Sequence, residues 1–331
     1  MNKTEKMIQA AKEAFSHVLK LKSDEKVLVV TDERRRSVGQ AFYDAARDIG
    51  AEVELFLLPE NERPLKEPPS EMVSLLEDKN VVINALFSLA QETPFRIKWI
   101  REVMENKTRR MGHGPGITEQ MMTEGPMNVD YKVMLDTVHR MMDKLKGAKE
   151  AHLVAPAGTD ITLNIAGRDF RTDVEISVGR WGNLPAGEIW CGPVEDGASG
   201  VIVCDGSIGD LGQVKKPLKI TVRNGKIEAL ESEDADLVKK VEELSSVDEM
   251  ASVVGELGIG LNPGARITGN LLEDEKALHT VHIAFGNNQD MPGGKNNSKT
   301  HRDYLMNNPT LTVTYEDVTK NVLIKEGELQ V

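Results

Sequence analysis

Long apolar runs are missing from this 331-residue chain, and none approaches the roughly 20 residues needed to span a bilayer. Cysteine is scarce. Cys191 and Cys204 alone exclude a disulfide scaffold and a four-thiolate zinc site. Positive charge is also in deficit, with 41 Lys and Arg against 53 Asp and Glu and a formal net charge of −12. An acidic surface argues against general binding to nucleic acid or to anionic membranes, so neither is expected as a partner. The opening stretch MNKTEKMIQAAKEAF lacks the apolar core of a secretory signal, and a cytoplasmic protein is expected. Several signatures are absent too: no GxGxxG after the first strand, no GxxxxGK[ST], and no Gly-x-Ser-x-Gly elbow. Dinucleotide, nucleoside-triphosphate and serine-hydrolase readings therefore lack their usual support.

The remaining composition is that of a globular protein, 40% hydrophobic and 28% charged, long enough for two domains at roughly 150 residues each. Residues 1–150 alternate between two periodicities. Helical spacing over 4–20, 35–49, 94–105 and 130–145 is interleaved with strand-like runs at 26–31, 51–58 and 80–87, and with TRRMGH at 108–113 as a candidate fourth strand. This pattern predicts a three-layer α/β domain with a mostly parallel sheet. From Ala151 glycine is frequent and helices are few. ITLNIAG, EISVG, GVIVCDG, LKITVRNGKIEAL and LTVTYED read as strands, with Asn224–Gly225 as a hairpin turn and 232–248 as a helix. Residues 151–331 are thus expected to form a β-rich α+β domain.

Four segments of that second half combine glycine, turn residues and ionisable groups: 183–200, 255–266, 279–288 and 300–306. Glu188, between Gly187 and the apolar pair Ile189–Trp190, fits a strand end beside a core. If buried it needs a partner or a metal; otherwise it is an exposed edge residue. Glu256 interrupts VVGELGIG, a stretch whose composition predicts burial on both faces. His279 and His282, three apart, face opposite sides of a strand, and TVHIAFG makes His282 the more strand-like. His301 and Asp303 share a strand face about 6–7 Å apart at the backbone, so imidazole and carboxylate can converge on one ion. Such a mixture of nitrogen and oxygen donors suits Zn²⁺, Mn²⁺, Co²⁺ or Fe²⁺. Lys295, in PGGKNNSKT, is either a substrate-facing charge or part of a surface turn. In the first half, Arg34, Arg35 and Arg36 follow the first strand, at the end where α/β crevices lie. His113 is expected in a loop, and His17 and His139 on helices.

Taken in order across roughly 150–310, NLPAGEIWCGP, GELGIGLNP, HIAFG and His-x-Asp resemble the M29 metallo-aminopeptidases, the thermophilic metalloprotease or aminopeptidase T family. The resemblance implies an α/β N-terminal domain, a barrel-like C-terminal sheet and a homodimer. It implies that Glu188, Glu256, His282, His301 and Asp303 hold two divalent ions, zinc, cobalt or manganese. It also implies release of the N-terminal residue of a small peptide by metal-activated water. Glu256, from its buried context, would be the bridging carboxylate, and Glu188 the catalytic proton carrier. The chain departs from the peptidase pattern at Gly187, where a paired glutamate is typical, and at Gln289, where a tyrosine is typical. Two alternatives therefore stand beside it. One is a ring-cleaving, non-haem iron dioxygenase of the dihydroxypyridine type, with His282, His301 and Asp303 as a facial triad. The other is a non-catalytic binding protein on the same scaffold.

Overall fold

The structure is a computed structural model that describes residues 1–331. It divides into two compact units, the first made of Met1–Leu135 and Asp173–Gly187. Its core is a five-stranded, all-parallel sheet. The order across it is Glu52–Leu57, Lys26–Thr31, Val81–Leu86, Arg110–Pro115 and Trp181–Asn183. KVLVVT and VVINAL are buried almost throughout, as a central parallel strand covered on both faces requires. The helix Arg36–Ile49 buries Val38, Phe42, Ala45 and Ala46 along one stripe. It ends at Gly50, whose φ of 97° is the left-handed conformation that closes helices. Residues 4–20, expected as one helix, form an α-helix over Lys3–Glu13 that widens to a π-turn over Ala14–Val18.

Polar groups at the carboxyl end of this sheet form a closed cluster. Asp32, just past the first strand, is fully buried. It accepts hydrogen bonds from Arg63 Nη1 at 2.7 Å and the Phe87 amide at 2.6 Å. Arg63 also donates to Glu92 at 2.6 Å. Arg34 and Arg35 stack on the Phe87 ring instead, at 4.4 and 5.1 Å from its centroid, and Arg36 pairs with Glu33.

The second unit, Asp136–Thr172 and Glu188–Val331, is built on two antiparallel sheets. The eight-stranded sheet includes the Leu218–Arg223 and Lys226–Glu231 hairpin. Its turn residues Asn224 and Gly225 both have positive φ, 48° and 74°. The seven-stranded sheet places four strands side by side: His301–Asn307, Thr280–Gly286, Val254–Gly260 and Glu188–Cys191. One face of these strands carries Ile189, Cys191, Leu257, Ile259, Val281, Ile283, Phe285 and Tyr304, all buried. A slip of one residue would exchange this apolar set for the opposite face, so burial of the set fixes the register. EISVG does not form the strand its composition predicts. It lies in irregular chain of the first unit, between Arg171–Thr172 and the short strand Trp181–Asn183.

Candidate metal centre

The same register brings all five candidate residues to the other face of the seven-stranded sheet. Cross-strand partners share a face, and residues two apart on a strand share it as well. Ala284 pairs with Glu256 on one side and Asp303 on the other. His282 pairs with Gly258, Glu188 with Gly260, and His301 with Gly286. Each candidate residue thus has a glycine or alanine as a cross-strand neighbour on this face. At Gly258 the reason is steric: a Cβ there would sit 1.9 Å from His282 Nε2 and 2.2 Å from its Cε1. The imidazole lies flat over bare backbone, and only glycine leaves room for it.

His282 Nε2 lies 3.5 Å from Glu188 Oε2, 3.5 Å from Glu256 Oε1 and 3.9 Å from Asp303 Oδ1. His301 Nε2 lies 2.9 Å from Glu256 Oε2 and 3.5 Å from Asp303 Oδ1. Glu256 thus belongs to both groups of converging donors, Glu188–Glu256–His282 and Glu256–His301–Asp303. Four of the five side chains are buried, while that of His301 is 33% exposed and marks the open side of the site. Its ring is oriented from behind, because Nδ1 donates to the Asn287 carbonyl at 2.7 Å. That bond places the ring proton on Nδ1 and leaves Nε2 as the donor atom for an ion, the usual arrangement behind metal-bound histidine.

A further group at the site is one that sequence patterns do not single out. Lys276 is fully buried; its ammonium donates to Glu188 Oε1 at 2.6 Å and also to Glu275. The chain reaches this position because Gly260, opposite Glu188, lets backbone pass closely: a Cβ there would lie 2.1 Å from the Ala277 carbonyl.

Burial disfavours charge on His282, but Glu256, Asp303 and Glu188 overcome that and raise its pKa from 6.5 to about 9. His301 is likewise raised well above 6.5: partial desolvation of its ring works downward, and Asp303 and Glu256 outweigh it. For Glu256 burial works upward, yet the two histidines hold the carboxyl down at about 2. In the metal-free protein two imidazolium protons therefore hold the carboxylates together. A group whose folded pKa exceeds its unfolded one stabilises fully below the unfolded value, here about pH 6.5. That stabilisation fades as the pH rises through about 9 for His282. Chelator-treated protein is expected to melt lower at pH 9.5 than at pH 6.5, by roughly 2–4 °C for each kcal/mol lost. Calorimetry at the two pH values checks this, and a melting temperature that held or rose with pH would contradict it.

The donors fit a metal ion. His282 Nε2 is buried without a hydrogen-bond partner while three carboxylates face it just beyond bonding distance. Donors held by one first-row ion at about 2.1 Å lie roughly 3.0–3.4 Å apart, and the spacings around Asp303 Oδ1 are within about half an ångström of that. Other candidates lie elsewhere. His279 precedes its strand with φ 70° and its Nδ1 bonds the Gly327 carbonyl; Lys295 is exposed. His113, expected in a loop, is inside the strand Arg110–Pro115. Trp99 Nε1 donates to Asn84 Oδ1 at 2.8 Å, so the Asn84 amide donates to His113 Nδ1, also at 2.8 Å. Burial and the Arg96 charge then press His113 down to about 3, and it stays neutral.

Comparison with known proteins identifies the family. The family model described as NicX, 2,5-dihydroxypyridine 5,6-dioxygenase, matches residues 6–330. No curated protein matches the chain. Among solved structures, 2,5-dihydroxypyridine dioxygenase from Pseudomonas putida KT2440 is similar, with a TM-score of 0.76 and 17% identity. The match covers 98% of this chain and 97% of that one. AmpT from Thermus thermophilus is similar at a TM-score of 0.74 and 16% identity, with 99% of each chain covered. At such identities these two likenesses establish the shared fold. The family match overturns the expected kinship with the M29 metallo-aminopeptidases. With it go the aminopeptidase, protease and hydrolase readings. The expectation of two zinc, cobalt or manganese ions is corrected as well. The donors make one cluster, consistent with a mononuclear iron centre. The chain belongs to the NicX 2,5-dihydroxypyridine 5,6-dioxygenase family.

Proposed function

We propose that this protein is a non-haem iron dioxygenase that opens the ring of a dihydroxypyridine or a closely related small aromatic. The observation that carries the reading is the placement of His282, His301 and Asp303 on one sheet face, within a chain matched almost end to end by the dioxygenase family. These three residues would hold iron as a two-histidine, one-carboxylate triad. Iron bound there supplies the redox chemistry that lets dioxygen react with an electron-rich ring, both oxygen atoms entering the product as one ring bond opens.

The chain's own residues prepare that chemistry. The Asn287 carbonyl fixes the His301 ring, so its Nε2 points inward without rotational search. Glu256 Oε2, 2.9 Å from His301 Nε2, accepts a hydrogen bond from that imidazolium in the metal-free state. It is also positioned to take a proton from a substrate hydroxyl at Oε2. The buried wall formed by Glu188, Glu256 and His282 keeps bulk water from the inner side, while exposed His301 marks the side of entry. A cytoplasmic setting accords with two buried, unpaired cysteines.

Anaerobically iron-loaded protein is expected to consume one dioxygen per 2,5-dihydroxypyridine, with loss of the ring absorbance. Release of amino acids from unblocked peptides is expected to be nil. Iron-loaded protein that leaves a panel of dihydroxypyridines and dihydroxybenzenes untouched would refute the reading.

A further inference from the structure

The donor set contains enough carboxylates for two ions, yet one position among them is filled by protein. Glu188 divides its two oxygens. Oε1 accepts from the Lys276 ammonium at 2.6 Å, and Oε2 faces His282 Nε2 at 3.5 Å. Glu275, also buried, accepts from the same ammonium. Its carboxyl, raised by burial, is influenced by the charges of Lys276, Asp303 and His282 in turn. The ammonium is therefore one carboxylate's width from His282, in a buried setting where charge acts at long range. A second dication in the Glu188–Glu256–His282 group would have to share Glu188 with a fixed positive charge.

We propose that the Lys276 ammonium, clamped between Glu188 and Glu275, is the built-in cation that takes the place of a second metal and restricts this cluster to one ion. Lys276 is a positioning residue. It neutralises Glu188 and turns one of its oxygens away from the metal side. The ion then belongs to the His282, His301 and Asp303 side of the cluster, with Glu256 beside it. The segment that carries Lys276 is held by the backbone bonds Asn262 N–H to Lys276 O, 2.8 Å, and Leu278 N–H to Asn262 O, 3.1 Å. The ammonium is thus as fixed as the strands beneath it.

The inference builds on the single-iron reading, and its test reads stoichiometry, not turnover. Mn²⁺ titration followed by electron paramagnetic resonance distinguishes an isolated ion from a spin-coupled pair. Wild-type protein is expected to bind one Mn²⁺ per chain with an uncoupled spectrum. Lys276→Met, which keeps the length of the side chain without its charge, is expected to bind two and show the coupled pattern. Lys276→Arg is expected to stay at one. A spin-coupled pair in the wild type overturns the proposal, whatever the variants do. So does a folded Lys276→Met or Lys276→Gln that still binds one ion with unchanged affinity. If wild type binds one ion and the variants bind two while no dihydroxypyridine is cleaved, ring cleavage fails and the role of Lys276 stands. In the reverse case, an active dioxygenase whose Lys276→Met form still holds one ion, ring cleavage stands and the role of Lys276 fails.

Discussion

Gly258→Ala is expected to weaken iron binding by on the order of 100-fold or more, although it adds a single methyl group and touches no ligand's chemistry. The methyl would lie 1.9 Å from His282 Nε2, and the ring cannot yield toward the sheet because the backbone of Gly258 is directly beneath it. The ring must leave its place over that backbone, which changes its spacing to Glu256 and Asp303 and disturbs an ion shared with them. Gly258 lies in an ordinary strand, outside the positive-φ residues, so alanine brings no backbone strain and the fold is expected to persist. Ile259→Val, one residue along and on the opposite face, provides the contrast. It is expected to lower stability by about 0.5–1.5 kcal/mol while iron binding stays intact. Anaerobic Fe²⁺ titration and urea unfolding of both variants separate the two effects. Equal iron affinity in Gly258→Ala and wild type would remove the steric argument.

Asp303→Ala and His301→Ala are each expected to lower kcat/KM for a dihydroxypyridine by about 10³-fold or more, roughly 4 kcal/mol of barrier. Each removes a donor from the proposed triad, and each leaves the neighbouring imidazoles or carboxylates facing a gap. Iron content measured on the purified variants is expected to fall with activity. Chelation of the wild type is expected to reproduce the loss, reversed by Fe²⁺ and not by Zn²⁺, since zinc has no redox couple. Asp303→Ala protein that retained both iron and turnover would exclude Asp303 from the centre.

Much of this architecture is legible in the residues. The strands TVHIAFG and GELGIG declare themselves by composition, and the β-hairpin by Asn224–Gly225. The alternation that builds the site is present too, as Glu256, Gly258, Gly260 and His282, Ala284, Gly286, each set at spacing two. A sequence read only for its ionisable groups passes over the glycines that make room for them. Lys276 is not legible. LLEDEKALH has the look of a solvated turn, and only the packing of that segment over Gly260 buries its lysine. Arg63 is similar: it stands in a Pro-rich loop, yet its guanidinium fills the carboxyl end of the parallel sheet. The motifs mislead about the reaction for a related reason. Glu188, Glu256, His282, His301 and Asp303 are as suitable for two hydrolytic ions as for one iron, and the motif is silent on a neighbouring ammonium. EISVG carries strand-like residues but lacks a partner strand, and pairing rather than propensity decides such a segment.

The parallel sheet of the first unit is completed by Trp181–Asn183, whereas the rest of it ends with Arg110–Pro115. Between them the chain leaves to begin the other unit over Asp136–Thr172. A ribosome that has released only the first 135 residues has thus delivered four strands with one border still bare, its Met111 amide without the Arg180 carbonyl that it bonds in the finished fold. Vectorial synthesis cannot finish the amino-terminal half before the carboxyl-terminal half has started. A fragment cut after residue 135 would lack the fifth strand and expose an adhesive flank, so the first unit is complete only when Asp173–Gly187 is included.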